Sequence, residues 1–262
     1  MDFKKGSLEV MLKPRIIARM DIKNANLIKS INLEGLKIIG NPNEYAKNYY
    51  EDGADEILFM DCVATLYGRN NLSEIINKST KDIFVPIAVG GGIRSFEDVK
   101  MMLNSGADKV AINTAAVSDP NLINQLAKEF GKQCVVISIP CKMVENKKWE
   151  VYINGGRDKT GLDVFEWAQK TVLLGAGELL ITSIDKDGLR KGFDLNLMQM
   201  FNEIDDIPII VSGGLGDPSH VSGLLSISNC EAIAAADFLH MKRGNIQELK
   251  DIILKSKFQA RL

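Results

Sequence analysis

Two similar apolar segments of the chain end in residues with opposite chemical capacity. RIIARMDIKN (15–24) places Asp21 at the end of its apolar run, and VVISIPCKM (135–143) places Pro140 at the matching position. A carboxylate can accept or supply a proton during a reaction, whereas proline has no titratable group and no backbone N–H. Asp21 is therefore a candidate acid–base residue, and a reaction that needs two opposed carboxylates lacks the second one at Pro140.

Two glycine-rich turns follow other apolar segments, GGGI (90–93) and SGGLG (212–216). Glycine lets the backbone approach a ligand closely, because it has no side chain in the way. Each turn alone is equally well explained as an ordinary connection between a strand and a helix. Two related copies half a chain apart indicate more, and they predict a ligand that carries a phosphate at each end.

Short apolar segments that alternate with amphipathic ones must position these residues. Strands that are apolar throughout, with helices between them, are typical of a parallel sheet whose outer face is covered. Eight such units in 262 residues predict an α/β fold, a (β/α)8 TIM barrel, with its active site at the carboxyl ends of the strands. The predicted strands are 14–21, 55–61, 86–91, 109–114, 134–140, 178–185, 208–214 and 232–237, and the predicted helices include 95–106, 119–131 and 163–175.

The chain also repeats itself at half its length. A half-barrel that was duplicated and fused explains such a repeat, and Asp21 and Pro140 are then equivalent positions of the two halves. The matching segments are RIIARMDIK with VVISIPCK, ADEILFMD with AGELLITS, PIAVGGGIRSFEDV with PIIVSGGLGDPSHV, and DKVAINT with EAIAAAD.

Composition and charge exclude several classes of function. A net charge of −2 and a pI near 5.8 give no electrostatic footprint for nucleic acid. No apolar run approaches the roughly 18 residues that a membrane span requires, and the first residues lack the apolar core of a signal peptide, so we expect a cytoplasmic protein. The four cysteines and two histidines show no metal-ligand spacing, and we expect neither a metal nor a cofactor. We expect one domain at 11–262, after an extension or cloning remnant at 1–10.

From Met11 onward the chain resembles the HisF family, the cyclase subunit of imidazole glycerol phosphate synthase. The motifs that carry the resemblance are AVGGGIRSFED, GADKVAINTAAV, NGGRDKTGLD, GAGELLITSIDKDG and IPIIVSGG. It implies a barrel that receives ammonia from a HisH-like glutaminase and uses it to split and cyclise a bis-phosphorylated ribulosyl substrate. It also implies catalytic aspartates at the ends of strands 1 and 5. Asp21 matches the first, and Pro140 stands in place of the second.

The resemblance further implies one phosphate-binding site in each half. The first site is matched by Gly92, Asn113 and Thr114. The second site corresponds to Gly188, Gly213 and Gly214. There Asp237 replaces a serine of the family, and a carboxylate is expected to repel a phosphate.

Arg19 departs from the family, which has a small residue at this position. It precedes Asp21 by two residues, so both side chains face the same side of the strand. An arginine inside a barrel needs a counter-charge, and Asp21 is the nearest candidate. Arg19 either pairs with Asp21 for structural reasons or binds an anionic group of a substrate.

Four charged residues at predicted strand starts match the ammonia gate of the family: Arg15, Glu56, Lys109 and Glu178. A single charge at such a place is usually just solvated, but four together favour a retained ammonia entrance. Asp108 matches a family residue that faces the glutaminase partner.

A retained entrance and an altered substrate end favour a divergent relative. The preferred hypothesis is a HisF-like synthase subunit that uses ammonia for acetamidino modification of a surface-polysaccharide sugar, with a separate sugar amidotransferase. One alternative is the imidazole glycerol phosphate synthase cyclase of histidine biosynthesis. Another is a barrel that only activates a glutaminase, so the sequence leaves open whether the chain is itself an enzyme.

Overall fold

The computed structural model describes residues 14–62, 72–145, 147–204, 207–228 and 230–259. The expected extension at 1–10 lies outside these ranges.

Eight parallel strands close into a barrel. Each strand pairs with the next around the sheet, and the pairing between the fifth and sixth strands of the barrel completes the closure. All eight predicted strands are confirmed, and the fold is a (β/α)8 TIM barrel. Numbered in chain order with four further strands, they are β1 (Arg15–Lys23), β4 (Glu56–Asp61), β5 (Ile87–Gly90), β6 (Lys109–Ile112), β7 (Val135–Glu145), β10 (Glu178–Ser183), β11 (Ile209–Ser212) and β12 (Ala232–Ala235).

Helices connect the strands and cover the outer face of the barrel. The three predicted helices are confirmed with shorter bounds. Side chains cap two of them at the amino end: Ser95 and Asp98 form a capping box, and Asp163 accepts two backbone N–H groups. The helices described are α1 (Pro42–Glu51), α2 (Leu72–Ser79), α3 (Phe96–Asn104), α4 (Thr114–Ser118), α5 (Asn121–Phe130), α6 (Val164–Leu173), α7 (Leu195–Met200), α8 (Ser219–Leu225), α9 (Asp237–His240) and α10 (Ile246–Gln259).

Two antiparallel excursions leave the carboxyl ends of β1 and β7, and the sequence patterns did not predict them. The first consists of β2 (Asn26–Ile31) and β3 (Glu34–Gly40), which continue from β1. The second consists of β8 (Lys148–Ile153) and β9 (Asp158–Asp163), which continue from β7. Both excursions therefore follow the first strand of a half-barrel.

The strand register supports the duplication of the two halves. Asp21 on β1 lies opposite Met60 on β4, and Pro140 on β7 lies opposite Thr182 on β10. Met60 and Thr182 are themselves equivalent in the sequence repeat. Asp21 and Pro140 thus occupy the same place in their halves, as the repeat predicts.

The interior of the barrel is arranged in layers, since alternate strand residues point inward. A middle layer is apolar, with charged residues below it toward the amino ends and polar residues above it. This layer separates the two charged regions described next. Its members are Ile17, Leu58, Ala88, Ala111, Val136, Leu180, Ile210, Ala232 and Ala234.

Candidate functional site

Four charges form a closed ring at the amino ends of the strands, which we call the amino-end ring (Arg15, Glu56, Lys109 and Glu178). Arg15 donates to Glu56 over 2.6 Å and to Glu178 over 2.9 Å. Lys109 donates to the same two carboxylates, over 2.8 and 3.0 Å. Each cation bridges both acids, so the ring carries no net charge. The structure thus brings together all four residues that the sequence proposed as a gate.

Burial in the ring acts against its charges. Glu56 is almost completely buried, and this burial raises its pKa although the charge of Lys109 opposes the rise. One Glu56 oxygen, Oε1, is buried without a hydrogen-bond partner. Arg15 keeps 28% of its side chain exposed, so the ring is reached from the amino end of the barrel through this residue.

Asp108 lies beside the ring and is exposed. Its Oδ2 accepts a hydrogen bond from the backbone N–H of Ile87 at 2.8 Å, and Glu231 accepts one from Ile209 in the same way in the second half, also at 2.8 Å. Asp108 therefore anchors the start of β5. Its predicted contact with a partner stays a prediction.

An open cavity lies at the other end of the barrel, over the carboxyl ends of the strands. The empty space inside it and at its open mouth, solvent included, amounts to about 860 Å³. Arg19 and Thr182 contribute to its floor, Arg157 lies at its exposed rim, and Pro140 lines its wall. Asp21, the predicted acid–base residue, is not among the lining residues, because its carboxylate is completely buried behind them.

Arg19 is fixed by three hydrogen bonds that cross the barrel interior. Its Nε donates to Asp21 Oδ1 over 3.0 Å, and its Nη1 donates to the hydroxyls of Thr182 and Ser212 over 3.1 and 3.0 Å. Only 6% of Arg19 is exposed. The predicted pairing of Arg19 with Asp21 is confirmed, and Arg19 is the member of the pair that lines the cavity.

Two more charged residues, Lys29 and Asp187, lie beside the pair of Arg19 and Asp21. We call these four residues the cavity-floor cluster (Arg19, Asp21, Lys29 and Asp187). Lys29 comes from β2 and binds Asp187 at 3.1 and 3.3 Å, with Asp21 Oδ2 at 4.0 Å. Burial opposes ionisation of Asp21, but the charges of Arg19 and Lys29 outweigh it and hold the pKa of Asp21 below its usual range. Asp21 is therefore held as a carboxylate and is poorly suited to supply a proton near neutral pH.

Pro140 is tolerated in β7 because of where the neighbouring strands end. The last contact of β7 with β6 is at Ile137, and its first contact with β8 is at Cys141. Pro140 lies between these two contacts, where a missing N–H interrupts neither ladder. Its ring lines the cavity and contributes no group that transfers protons.

The residues proposed for the first phosphate site lie together at the cavity. Gly92, Asn113 and Thr114 all line it. Asn113 donates to the carbonyl oxygens of Ser138 and Tyr152 over 3.0 and 3.1 Å, which ties β6 to β7 and β8. Thr114 accepts a hydrogen bond from the N–H of Asn154 at 3.1 Å, so the site is fastened to the second excursion.

The second half of the barrel repeats the backbone conformation of the first phosphate site, but its proposed phosphate-binding residues do not line the cavity. Ala236 has φ and ψ of −126° and −81°, close to −134° and −80° at its equivalent Asn113. Gly214 has a φ of +106°, and a Cβ there would overlap the carbonyl oxygen of Gly192, so close packing alone requires glycine. None of the residues proposed for the second site, Gly188, Gly213, Gly214 and Asp237, lines the cavity.

Asp237 does not stand as an isolated negative charge. Arg243 donates to it over 2.9 Å, and Arg190 lies 3.5 Å from the same oxygen. The expectation that Asp237 repels a phosphate considered its charge alone, whereas the structure surrounds it with two cations.

Comparison with known proteins identifies the family. Residues 15–245 match a family model described as "Histidine biosynthesis protein". A protein of Legionella pneumophila named "Imidazole glycerol phosphate synthase subunit HisF" is 56% identical over 206 residues, which is 79% of this chain and 97% of that protein. Proteins of the same name from Lactococcus lactis subsp. cremoris (strain SK11) and Bacillus cereus (strain G9842) are 45% and 42% identical over 96% of this chain, and the matches cover 98% and 100% of those proteins. The chain belongs to the HisF family.

The names of these HisF relatives bear on the two interpretations of the family resemblance. They support the histidine biosynthesis interpretation, which the sequence placed second, and they give no support to the surface-sugar interpretation that it preferred. Pro140 and Arg19 line the cavity of this HisF chain, and any function proposed for it must accommodate them.

Sequence reasoning missed several cavity residues of this HisF chain that the two excursions supply. Ser30 and Leu33 come from the first excursion, and Gly155 and Arg157 come from the second. A signal existed for the second pair, since NGGRDKTGLD was one of the family motifs. Asp187 of the cavity-floor cluster likewise lies in the family motif GAGELLITSIDKDG, whereas Lys29 lies in none of the motifs named above.

The described part of this HisF chain shows neither a metal-binding group of side chains nor a membrane-spanning helix. The described ranges contain no group of three or more His, Cys, Asp or Glu side chains arranged to hold a metal ion. None of the helices in those ranges has the length and apolar character needed to cross a bilayer.

Proposed function

We propose that this chain is the ammonia-using synthase subunit of a two-protein glutamine amidotransferase of the imidazole glycerol phosphate synthase type. One observation carries the proposal: a single barrel joins the amino-end ring to a cavity lined by Gly92, Asn113 and Thr114. The names of the 42–56% identical relatives support the same reaction, a step of histidine biosynthesis. The partner would be a HisH-like glutaminase, docked at the end that carries the ring and Asp108.

The interior of the barrel suits the passage of ammonia. The ring is neutral as a whole, and the apolar layer above it disfavours any charged species, because burying an unpaired charge is costly. Neutral ammonia therefore crosses this layer far more easily than ammonium. Passage through the ring itself requires that at least one of its ion pairs open.

The cavity suits a substrate that carries phosphate. Gly92, Asn113 and Thr114 would hold one phosphate through backbone and side-chain donors. Arg157 at the rim adds a positive charge. Asp21, kept ionised by Arg19 and Lys29, would hold Arg19 in place at the cavity floor rather than act as an acid.

A second acceptor is favoured by a specific observation, the absence of the second carboxylate at Pro140. With Asp21 buried behind Arg19, the described residues that line the cavity include no opposed pair of acid–base groups. The barrel would then pass ammonia to another acceptor, such as the acetamido group of a surface sugar, together with a separate sugar amidotransferase.

The first experiment measures turnover of the bis-phosphorylated ribulosyl substrate. The purified chain is assayed with ammonium salt alone, and with glutamine and a HisH-type glutaminase. Turnover in both assays supports the imidazole glycerol phosphate synthase function. No turnover, with stimulation of the glutaminase, supports the second acceptor or a barrel that only activates its partner; neither turnover nor stimulation contradicts the whole proposal.

Two substitutions sharpen this experiment. Lys109→Met opens the amino-end ring and should lower glutamine-dependent turnover more than ammonium-dependent turnover, whereas Lys132→Met, an exposed lysine just before β7, serves as the control. Pro140→Asp restores a carboxylate on the cavity wall. A rise in turnover in this variant would show that the missing acid limits the chemistry.

A further inference from the structure

The cavity floor contains a buried cation that the barrel does not fully use. An arginine has five N–H donors, and Arg19 commits three of them: one to Asp21 and two to Thr182 and Ser212. Its Nη2 atom, with two N–H groups, donates to no described residue. Since Arg19 lines the cavity, these two donors are offered to whatever occupies it.

The geometry of the ion pair between Arg19 and Asp21 indicates a role besides stability. Arginine and a carboxylate bind most strongly through two parallel hydrogen bonds. Here only Nε bonds to Asp21, at 3.0 Å, and the second carboxylate oxygen, Oδ2, is buried without a hydrogen bond. The guanidinium is instead turned toward the hydroxyls of β10 and β11, which holds Nη2 at the cavity.

The charges around the cavity indicate what Nη2 would bind. Behind the floor, Arg19 and Lys29 are balanced by Asp21 and Asp187. Among the lining residues that the structure describes, the charged ones are Arg19, Arg157 and Asp61, two cations and one carboxylate. A negatively charged ligand group therefore suits the floor better than a cation.

We propose that Arg19 is a substrate-binding residue whose Nη2 holds an anionic oxygen of a carboxylate or a phosphate at the floor of the cavity. This contact is separate from the Gly92, Asn113 and Thr114 site at the cavity wall. The inference rests on the proposed function in one respect, that this cavity receives the acceptor. It requires neither ammonia nor the cyclisation reaction.

Selenate, a tetrahedral dianion with an anomalous signal, tests the site directly. Crystals of the intact chain soaked in selenate should show an anomalous selenium peak about 4 Å from Arg19 Nη2, with a selenate oxygen about 3 Å from that nitrogen. Crystals of the double variant Arg19→Met/Asp21→Asn should lack this peak. The double variant is used because Arg19→Met alone leaves a buried carboxylate unpaired. Absence of the peak in the unmodified chain overturns the proposal, whether or not selenate fills the Gly92 turn.

Binding in solution distinguishes the two kinds of anion. Calorimetric titrations with inorganic phosphate and with acetate compare the unmodified chain with the double variant. We expect about tenfold weaker binding by the variant for the anion that Arg19 recognises, the loss typical of one charged hydrogen bond. A loss for phosphate alone assigns a phosphate and a loss for acetate alone assigns a carboxylate, whereas equal affinities of both proteins for both anions contradict the proposal.

The outcome is independent of the turnover assay. If the chain binds selenate at Arg19 but turns over no ribulosyl substrate, the binding site stands and the proposed reaction fails. If turnover is observed without an anion at Arg19, the reaction stands and Arg19 is only a partner of Asp21.

Discussion

The amino-end ring and the cavity-floor cluster are built from the same four charges, two cations and two carboxylates, yet they differ in completeness. In the ring, each cation contacts both acids. Of the two carboxylates in the floor cluster, Arg19 contacts only Asp21, and Lys29 contacts mainly Asp187. Each cluster has one buried carboxylate oxygen without a hydrogen bond, Glu56 Oε1 in the ring and Asp21 Oδ2 in the floor cluster, and the floor cluster also leaves the Nη2 donors of Arg19 unused by the described residues.

The origin of the residues explains this difference. The ring takes one residue from each of four barrel strands, so the symmetry of the barrel brings them to one level. The floor cluster takes two residues from β1, one from the excursion strand β2 and one from the segment after β10. A regular barrel can close a ring of ion pairs, whereas an irregular cluster leaves groups that a ligand can complete.

The largest expected effect comes from removing the arginine of the floor cluster. Arg19→Met should lower the free energy of unfolding by about 3–5 kcal/mol, because Asp21 is left as a buried carboxylate without its main partner. Urea unfolding followed by circular dichroism measures the change. Arg19→Met/Asp21→Asn should recover more than half of the loss. If the single and double variants are equally unstable, the pairing with Asp21 is not what stabilises Arg19.

A smaller effect is expected in the ring. Glu56→Gln removes one of the two charges that Arg15 and Lys109 share, but Glu178 still contacts both cations. Burial of Glu56 offsets much of the attraction between its charge and the two cations, so we expect a change of less than about 1 kcal/mol in the same unfolding experiment, less than for a fully broken buried pair. Glu129→Gln, at an exposed position of α5, should change stability by less than about 0.5 kcal/mol. A Glu56→Gln loss as large as that of Arg19→Met would contradict the contrast between a shared and an unshared pair.

A modest loss of stability is expected when one hydroxyl that anchors Arg19 is removed. Ser212→Ala removes an acceptor 3.0 Å from Nη1 and should cost about 1.5 kcal/mol, the value of a hydrogen bond to a charged group. Thr182→Ser, which keeps the other hydroxyl, should cost less. Thermal unfolding measures both, and a neutral Ser212→Ala would show that Arg19 does not depend on this anchor.

The last prediction concerns the sign of a pH dependence rather than its size. The pKa of Asp21 is lowered in the folded chain, so its contribution to stability is present above its unfolded pKa of about 3.9 and is lost as the pH falls below it. The pKa of Glu56 is raised, so its contribution is present below about pH 4.3 and is lost as the pH rises through the raised folded value.

Acid titration of stability separates the two clusters accordingly. The stability difference between the unmodified chain and Asp21→Asn should grow as the pH rises from 2 to 5, and the difference from Glu56→Gln should shrink as the pH rises above 4. Two differences that move in the same direction would show that the clusters do not have opposite electrostatic environments.

The barrel was predictable from the sequence because it follows from repetition, and the ring was predictable because four charges at strand starts match the gate of the family. Apolar strands and half-chain repeats place Arg15, Glu56, Lys109 and Glu178 at strand starts, and strands of a barrel begin at one level. Strand alternation likewise predicted that Arg19 and Asp21 face the same side. Local periodicity carries this information, and the structure confirms it.

The remainder of the floor could not be predicted, since it depends on how the chain folds back. Lys29 lies on β2, and no periodic pattern in the sequence predicts that β2 folds back onto β1. Asp187 lies in a turn 158 residues away from Lys29. The charge of Asp237 is visible in the sequence, but its partners Arg190 and Arg243 are not. The surroundings of these residues depend on contacts between irregular segments that are far apart in the chain. Such contacts leave no visible pattern in a single sequence.

The three anchors of Arg19 have a consequence for the entropy of binding. A free arginine side chain loses rotational freedom worth about 2 kcal/mol when a ligand fixes it. In this barrel Asp21, Thr182 and Ser212 have already fixed the guanidinium before any ligand arrives. An anion that reaches the floor therefore meets a preorganised donor, and little of its binding free energy is spent on ordering the protein.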